Sequence, residues 1–308
     1  MNRQPVRIGT RASKLALAQA ETMRAAIARA LGDDEAAVLV HITTSGDRIQ
    51  DRTLTDIGGK ALFTKEIEEA LLGRRIDAAI HSLKDMPVIS PDGLVIAAVP
   101  EREDPRDVFL SVAHERLATL PPGARLGTAS LRRQAQALHV RPDLRVLPLR
   151  GNVDTRIAKL QRGEFDAIVL AAAGLNRLGL GGAPREWLDP VAAPPAPGQG
   201  ALAIQTREED SEAAWVAGLR HAPTALAVAA ERGALEALEG SCRTAVGAYA
   251  RLDGATLRLT VEALTPDGAR RFRRQGDLPA GAGEADARAL GLALGVAIHA
   301  EGGAALTA

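Results

Sequence analysis

The chain has 308 residues and one cysteine, Cys242, so it cannot close an intramolecular disulfide. A reducing compartment suits such a chain. Aromatic residues make up 2% of it. Ala, Leu, Val and Ile must therefore fill the core, and base stacking on nucleic acid is disfavoured. Neither sign of charge is in excess, since Lys+Arg and Asp+Glu are both 38. Nothing global points to nucleic acid or an anionic membrane, and any basic site has to be local. The histidines, at 41, 81, 114, 139, 221 and 299, show no metal-ligand spacing, which excludes an ordinary zinc site. No apolar run approaches membrane-spanning length. Residues 1–5 lead into a strand with no apolar signal core. These readings place the protein in the cytoplasm, with no nucleic-acid or membrane partner. The lack of a coiled-coil pattern and the balanced charge suit a monomer. No phosphate-binding loop or hydrolase nucleophile elbow is present. Gly198-Gln199-Gly200-Ala201-Leu202-Ala203 fits a dinucleotide fingerprint formally. A proline-rich stretch precedes it and a strand follows it, so that reading is rejected.

What is present reads as α/β. A strand over 6–10 leads into a helix over 11–31 with Ser13 as its cap. A strand over 37–43 follows, then a polar loop over 44–60, then a helix over 62–73 that ends at glycine. Arg7-Ile8-Gly9-Thr10 before one helix is echoed by Arg125-Leu126-Gly127-Thr128 before another. Gly73-Arg74-Arg75-Ile76-Asp77-Ala78-Ala79-Ile80 is echoed by Gly163-Glu164-Phe165-Asp166-Ala167-Ile168-Val169. Two echoes in the same order predict two similar lobes. The first spans 1–101 and 199–220, and the second spans 102–198. Residues 190–200, rich in Pro and Gly, form the return connection. A helix over 211–219 is expected after it. Residues 221–308 read as a small α+β domain with a helix, two strands (246–251 and 256–264) and a final helix (284–300). Two crossings between two lobes is the layout of a hinged binding cleft.

The most informative run is Ile80-His81-Ser82-Leu83-Lys84-Asp85-Met86-Pro87. An apolar strand delivers Lys84 and Asp85 to its end, and Pro87 stops the strand. Ligands of α/β sheets bind at strand ends, so Asp85 is the first candidate carboxylate. Arg11, Arg132, Arg133, Arg150 and Arg156 sit at comparable strand-to-helix junctions. Thr128-Ala129-Ser130 opens a helix that begins Leu131-Arg132-Arg133, where free N–H groups and the dipole favour an anion. Arginines in a first turn make sense if a carboxylate or phosphate lies between them. Arg150-Gly151-Asn152-Val153-Asp154-Thr155-Arg156 repeats that logic with Asn152 as cap. One carboxylate among many guanidiniums describes a site for a polyanion. Taken alone, each arginine also reads as a solvated surface cation, and Asp85 as a turn residue. Cys242 also reads as a buried small hydrophobe. Its setting, Leu238-Glu239-Gly240-Ser241-Cys242-Arg243, is that of a loop cysteine beside a cation, which favours the thiolate.

The set Arg7 to Ala16, Gly58-Gly59-Lys60-Ala61-Leu62-Phe63, His81 to Pro87, Gly127 to Arg133, Leu149-Arg150-Gly151-Asn152 and Leu238 to Cys242 closely resembles the porphobilinogen deaminase family, in order and spacing from residue 6 to about 250. The resemblance implies two lobes of the type II periplasmic-binding-protein class and a small C-terminal domain. It implies a transferase of tetrapyrrole synthesis that joins four porphobilinogen units head to tail into hydroxymethylbilane, releasing ammonia at each step. It implies a dipyrromethane cofactor held by a thioether at the cysteine matched by Cys242, with no metal or nucleotide. Asp85 is implied as the catalytic carboxylate. Lys84, Thr128, Ser130, Arg132 and Arg133 are implied at the cofactor, and Arg11, Ser13, Arg150, Arg156 and Arg177 at substrate carboxylates. The loop over 44–60 resembles the family's mobile cover, with Phe63 just beyond it. Ala129 and Ala245 depart from the serine and proline common in the family. Two other classes compete with this reading. A non-catalytic solute-binding module of the same layout gives Cys242 no role. A cysteine hydrolase wants a histidine partner that no pattern nominates.

Overall fold

The computed structural model describes residues 4–45, 64–183, 185–238 and 244–307. They fall into two compact units, residues 1–103 with 201–225 and residues 104–200 with 226–308. The second unit contains both the stretch read as a second lobe and most of the stretch read as a C-terminal domain.

In the first unit a five-stranded sheet runs in the order β2-β1-β3-β10-β4. Its strands are β1 (Val6–Thr10), β2 (Ala37–His41), β3 (Ala78–Ser82), β4 (Leu94–Ala98) and β10 (Leu202–Arg207). β1 is parallel to β2 and β3, while β10 lies antiparallel between β3 and β4. Helix α1 (Lys14–Leu31) covers one face through Ala20, Met23 and Ile27, which pack with Ile8, Ile80 and Ile204. Helix α2 (Lys65–Leu72) covers the other with Ile67, Ala70 and Leu71. The Ser13 hydroxyl caps α1 by accepting from the Ala16 N–H at 3.3 Å. Gly32 closes α1 at φ 69°, a conformation costly for any residue with a Cβ.

In the second unit the sheet order is β7-β6-β8-β5-β9. These strands are β5 (Asp107–Leu110), β6 (Arg125–Gly127), β7 (Arg145–Leu147), β8 (Ala167–Ala171) and β9 (Glu186–Trp187). Here too two strands flank a central parallel one, and an antiparallel strand, β5, lies between β8 and β9. Helices α3 (Leu131–Val140), α4 (Val153–Gln161) and α5 (Ala172–Arg177) follow β6, β7 and β8.

The sequence echoes have a physical cause. Arg7 donates Nε and Nη2 to the Asp77 carboxylate at 2.9 and 2.8 Å, and its backbone N–H adds a third bond at 2.9 Å. Arg125 does the same to Asp166, at 3.2, 2.8 and 2.7 Å. Two residues after each arginine stands a glycine facing a large apolar side chain. A Cβ on Gly9 would come within 2.3 Å of Ile76, and one on Gly127 within 2.7 Å of Phe165. Each repeat thus encodes an arginine clamp and a slot for the residue before its aspartate.

The second unit also holds a three-stranded antiparallel sheet, β11 (Ala245–Asp253), β12 (Thr256–Leu264) and β13 (Arg271–Pro279), with helix α8 (Glu284–Gly302). Sequence reading had only two of these strands. β13 reads Arg-Phe-Arg-Arg-Gln-Gly-Asp-Leu-Pro and shows little apolar alternation because it is a half-exposed edge. The helix expected over 211–219 is the short α6 (Ala214–Ala217), and α7 (Ala222–Leu238) follows it. The segment Glu284–Leu306 is long and apolar enough to cross a membrane by length and composition, contrary to the sequence expectation. Its glycines serve packing. A Cβ on Gly291 would lie 1.9 Å from the Ala230 carbonyl oxygen of α7, so the two helices meet backbone to backbone.

Candidate active site

In each unit the candidate residues gather at the C-terminal ends of the parallel strands, where free backbone groups and helix starts face a ligand. In the first unit Arg11 and Ser13 follow β1, and Lys84 and Asp85 follow β3. The Thr10 hydroxyl donates to the carbonyls of Arg11 and Ala16 at 3.3 and 3.2 Å, fixing the turn that carries Arg11. β3 ends at Ser82, ahead of the point where Pro87 was expected to stop it, and Leu83–Asp85 form one turn of 3-10 helix. That turn buries Leu83 and leaves Asp85 exposed, with Lys84 half-buried. The Leu83 N–H donates to the Ala201 carbonyl at 3.0 Å and anchors the turn to the segment before β10.

His81 lies beneath this turn. Its Nε2 is 3.2 Å from Gln205 Oε1, and Gln205 Nε2 donates to Glu68 at 3.3 Å. Burial pushes the imidazole down to about 4; the Gln205 hydrogen bond opposes this and the Arg11 charge adds to it. The ring is therefore neutral, and a neutral donor to Gln205 holds β3 in place.

In the second unit Thr128 and Ser130 follow β6, Arg150 follows β7, Arg156 lies in α4, and Arg177 ends α5. The Ser130 hydroxyl caps α3 by accepting from the Arg133 N–H at 3.4 Å, and the Ser130 N–H donates to Thr128 Oγ1 at 3.1 Å. Asn152 stands at the N-cap of α4 but makes no side-chain cap bond, contrary to expectation. The α4 start is instead shaped by Gly151 at φ 110°, whose added Cβ would meet Thr155 at 2.9 Å. Arg156 Nε donates to the Gly151 carbonyl at 2.7 Å, and Arg177 Nη2 to the Gly200 carbonyl at 2.7 Å.

Arg132 and Arg133 point inward. Both are buried against Asp107, with side-chain exposures of 5%, 8% and 1%. Arg132 Nη1 donates to Asp107 Oδ2 at 2.6 Å, to Gln136 at 2.8 Å and to the Pro194 carbonyl at 3.3 Å. Arg133 donates Nε and Nη2 to Asp107 Oδ1 at 3.2 and 2.8 Å and Nη1 to the Val169 carbonyl at 3.1 Å. Gln199 Nε2 adds a further bond to Asp107 Oδ1 at 2.8 Å. Burial alone would raise the Asp107 carboxyl, but the two guanidiniums hold it far below the usual carboxylate range. Sequence reading missed Asp107 and Gln199. The only signal was an aspartate heading an apolar four-residue strand, Asp107-Val108-Phe109-Leu110, where a buried carboxylate demands cationic partners.

Cys242 and its neighbours 239–243, most of the 44–60 loop and Phe63 lie outside the described residues. The flanks of the cysteine segment are firmly held. Glu231 of α7 is buried and accepts from the N–H groups of Gly198 at 2.7 Å and Ala250 at 2.9 Å.

The donor set suits a polycarboxylate. Around α3, through Gln136, four guanidiniums (Arg132, Arg133, Arg271 and Arg273) face two carboxylates, Asp107 and Glu262. Buried Arg132 Nε has no hydrogen-bond partner. An orphaned buried guanidinium donor marks a site that gains from a bound anion. Among the described residues no group of three or more His, Cys, Asp or Glu could hold a metal ion.

The duplicated strand order, with cations at the strand ends, defines a protein of two similar α/β halves with a small sheet-and-helix domain appended. Residues 6–214 match the family model described as porphobilinogen deaminase, dipyromethane cofactor binding domain, and residues 225–300 match the C-terminal domain of the same enzyme. The chain belongs to the porphobilinogen deaminase family. It is 68% identical to the porphobilinogen deaminase of Caulobacter sp. (strain K31), over 99% of both chains. It is 67% identical to that of Caulobacter vibrioides (strain NA1000 / CB15N) and 59% to that of Phenylobacterium zucineum (strain HLK1), each again over 99% of both chains. Among solved structures the methionine binding protein MetQ aligns at a TM-score of 0.45 and 15% identity, over 70% of this chain and 88% of that one.

Proposed function

We propose that Asp85 carries the proton and charge chemistry of this family's reaction, with the arginines binding carboxylates. The chain is a transferase of tetrapyrrole biosynthesis that polymerises porphobilinogen into hydroxymethylbilane with release of ammonia, and it uses a dipyrromethane cofactor. The observation that carries the assignment is the exposed Asp85 on its one-turn helix at the end of β3, with Lys84 beside it and Arg11 and Ser13 on the neighbouring strand's end.

Each porphobilinogen bears an acetate and a propionate, so the growing chain is a polyanion. Guanidiniums grip carboxylates through two parallel bonds, which ammonium groups cannot do. Arg11, Ser13, Arg150, Arg156 and Arg177 are assigned to substrate carboxylates. Thr128, Ser130, Arg132, Arg133 and Lys84 are assigned to the cofactor, and Cys242 to its covalent anchor. When bound, the cofactor supplies the pyrrole carbon to which the first unit is joined. Departure of ammonia leaves positive charge on the substrate's methylene-pyrrole unit. Asp85 in its acid form gives a proton to the leaving amine; the resulting carboxylate stabilises the positive charge by accepting from pyrrole N–H and takes back the proton lost from the carbon that forms the new bond. Its exposure puts Asp85 within reach of a ligand. The same reading holds the protein to be a cytoplasmic monomer that acts on a small molecule, with no nucleic-acid or membrane partner. Its three-part division is a first lobe at 1–101 and 199–220, a second at 102–198 and a C-terminal domain at 221–308.

Intact mass tests the assignment. The wild-type protein gains the mass of two linked pyrrole units and Cys242→Ser does not; a wild-type mass that stays unmodified after incubation with porphobilinogen overturns it. Asp85→Asn should keep the added mass and lose about 10²–10⁴ in turnover.

A further inference from the structure

We infer that Asp107 is a positioning residue for cofactor loading: it locks Arg133 in place as an internal strut and, by holding Arg132 through Nη1, leaves the Nε and Nη2 edge of that guanidinium for a ligand carboxylate. This rests on the assignment of Arg132 to the cofactor proposed above.

The bonds divide the two arginines sharply. Each nitrogen of the Arg133 guanidinium has an acceptor inside the unit: Nε and Nη2 on Asp107, and Nη1 on the Val169 carbonyl. Arg132 places Nη1 on Asp107, Gln136 and the Pro194 carbonyl, and neither Nε nor Nη2 takes part in these bonds. Asp107 makes the division. Its Oδ1 is filled by Arg133 and by Gln199, while Oδ2 receives Arg132. Two adjacent cations in the first turn of α3 repel each other and oppose the helix dipole. One carboxylate between them removes the repulsion and sets both side chains at once. A charge-assisted bond of 2.6 Å to the 1%-exposed Asp107 side chain leaves Arg132 little rotational freedom.

An asparagine in this position has nearly the same shape but a different pattern of donors. Its amide NH₂ would face a guanidinium N–H, donor against donor, and the negative charge would be gone. Arg132 and Arg133 would then lose their shared carboxylate, while Glu262 stays engaged with Arg271 and Gln136. Arg132 would be released to turn toward the carbonyls of its own unit.

The test is cofactor acquisition followed by intact mass, on apo-protein incubated with porphobilinogen. Asp107→Asn should load its two-pyrrole adduct about tenfold more slowly than wild type or worse, at a temperature where circular dichroism and a cooperative melt show it folded. A merely structural Asp107 would lower the melting temperature and leave loading below it unchanged, and that result overturns the inference. Gln199→Met removes one donor to Oδ1 and keeps the charge. It should slow loading about threefold, and it decides the matter if Asp107→Asn does not fold; wild-type loading by Gln199→Met then overturns the inference. Arg132→Gln separates this inference from the reading beneath it. If Arg132→Gln loads like wild type, Arg132 does not hold the cofactor and both fall. If Arg132→Gln fails to load while folded Asp107→Asn loads normally, only the role of Asp107 falls.

Discussion

Gln19 Nε2 donates to the Ser82 hydroxyl at 3.0 Å, tying the buried face of α1 to the last residue of β3. The bond links the element that begins at Ser13 to the strand that ends beside Lys84 and Asp85. Gln19→Leu keeps the volume and removes the bond. The expected loss is about 1 kcal/mol of stability and a fall in kcat of about three- to tenfold as Asp85 loses its fixed position. Steady-state kinetics beside a thermal melt check this; an unchanged kcat with a lowered melting temperature would assign Gln19 to packing alone.

His81 makes stability depend on pH. In the unfolded chain a histidine titrates near 6.5, and in the fold His81 is pushed down to about 4. Between these values the unfolded state binds more protons, so stability rises with pH across that window and is lost as pH falls through it. The full effect is about 3 kcal/mol, because each pH unit between the two values contributes about 1.4 kcal/mol. His81→Gln should flatten this part of the curve, as read by denaturant unfolding at pH 4 to 7. An identical slope in variant and wild type would refute the assignment.

The duplicated clamps should differ in strength. Asp166 serves Arg125 at the surface, whereas Asp77 also accepts from Arg207, which is 9% exposed, at 3.3 Å. Asp166→Asn is expected to cost about 1 kcal/mol. Asp77→Asn is expected to cost about 2 kcal/mol or more, because it weakens the compensation of a buried guanidinium. Chemical denaturation of the two variants measures the difference, and equal losses would contradict it.

Gly291→Ala places a Cβ 1.9 Å from the Ala230 carbonyl oxygen. Backbone cannot move aside as a side chain can, so α7 and α8 must separate, at about 3 kcal/mol or more. α7 ends at Leu238, four residues before Cys242. Reduced cofactor loading should therefore accompany the lowered melting temperature, and intact mass reports it. Ala297→Gly, on the exposed side of the same helix, is expected to cost only about 1 kcal/mol and to load normally.

Local rules made much of this readable. The Ser13 cap, the strand at Val6–Thr10 and the run into Asp85 were legible because each rests on neighbours in sequence. The two echoes were legible as a duplication because clamp and slot each demand one residue type. The inward turn of Arg132 and Arg133 was not legible. It depends on Asp107, 25 and 26 residues away, and on Gln199, which sequence reading met only as part of a rejected motif. β13 was missed because an edge strand is held by its ladder with β12, which leaves no apolar pattern behind.

The position of β10 bears on how the protein is born. β3 pairs on one side with β10, whose residues 202–207 come more than a hundred positions after β3, while the second α/β sheet draws all its strands from residues 107–187. A ribosome adding about 5–20 residues per second therefore releases everything the later sheet needs before the earlier one can close. During that interval the strand that leads into Lys84 and Asp85 has a bare edge, open to pairing with another nascent chain. Protease challenge of released chains truncated before 202 and after 220 should show the second sheet protected in both and the first only in the longer. In this enzyme the half made first is the half finished last.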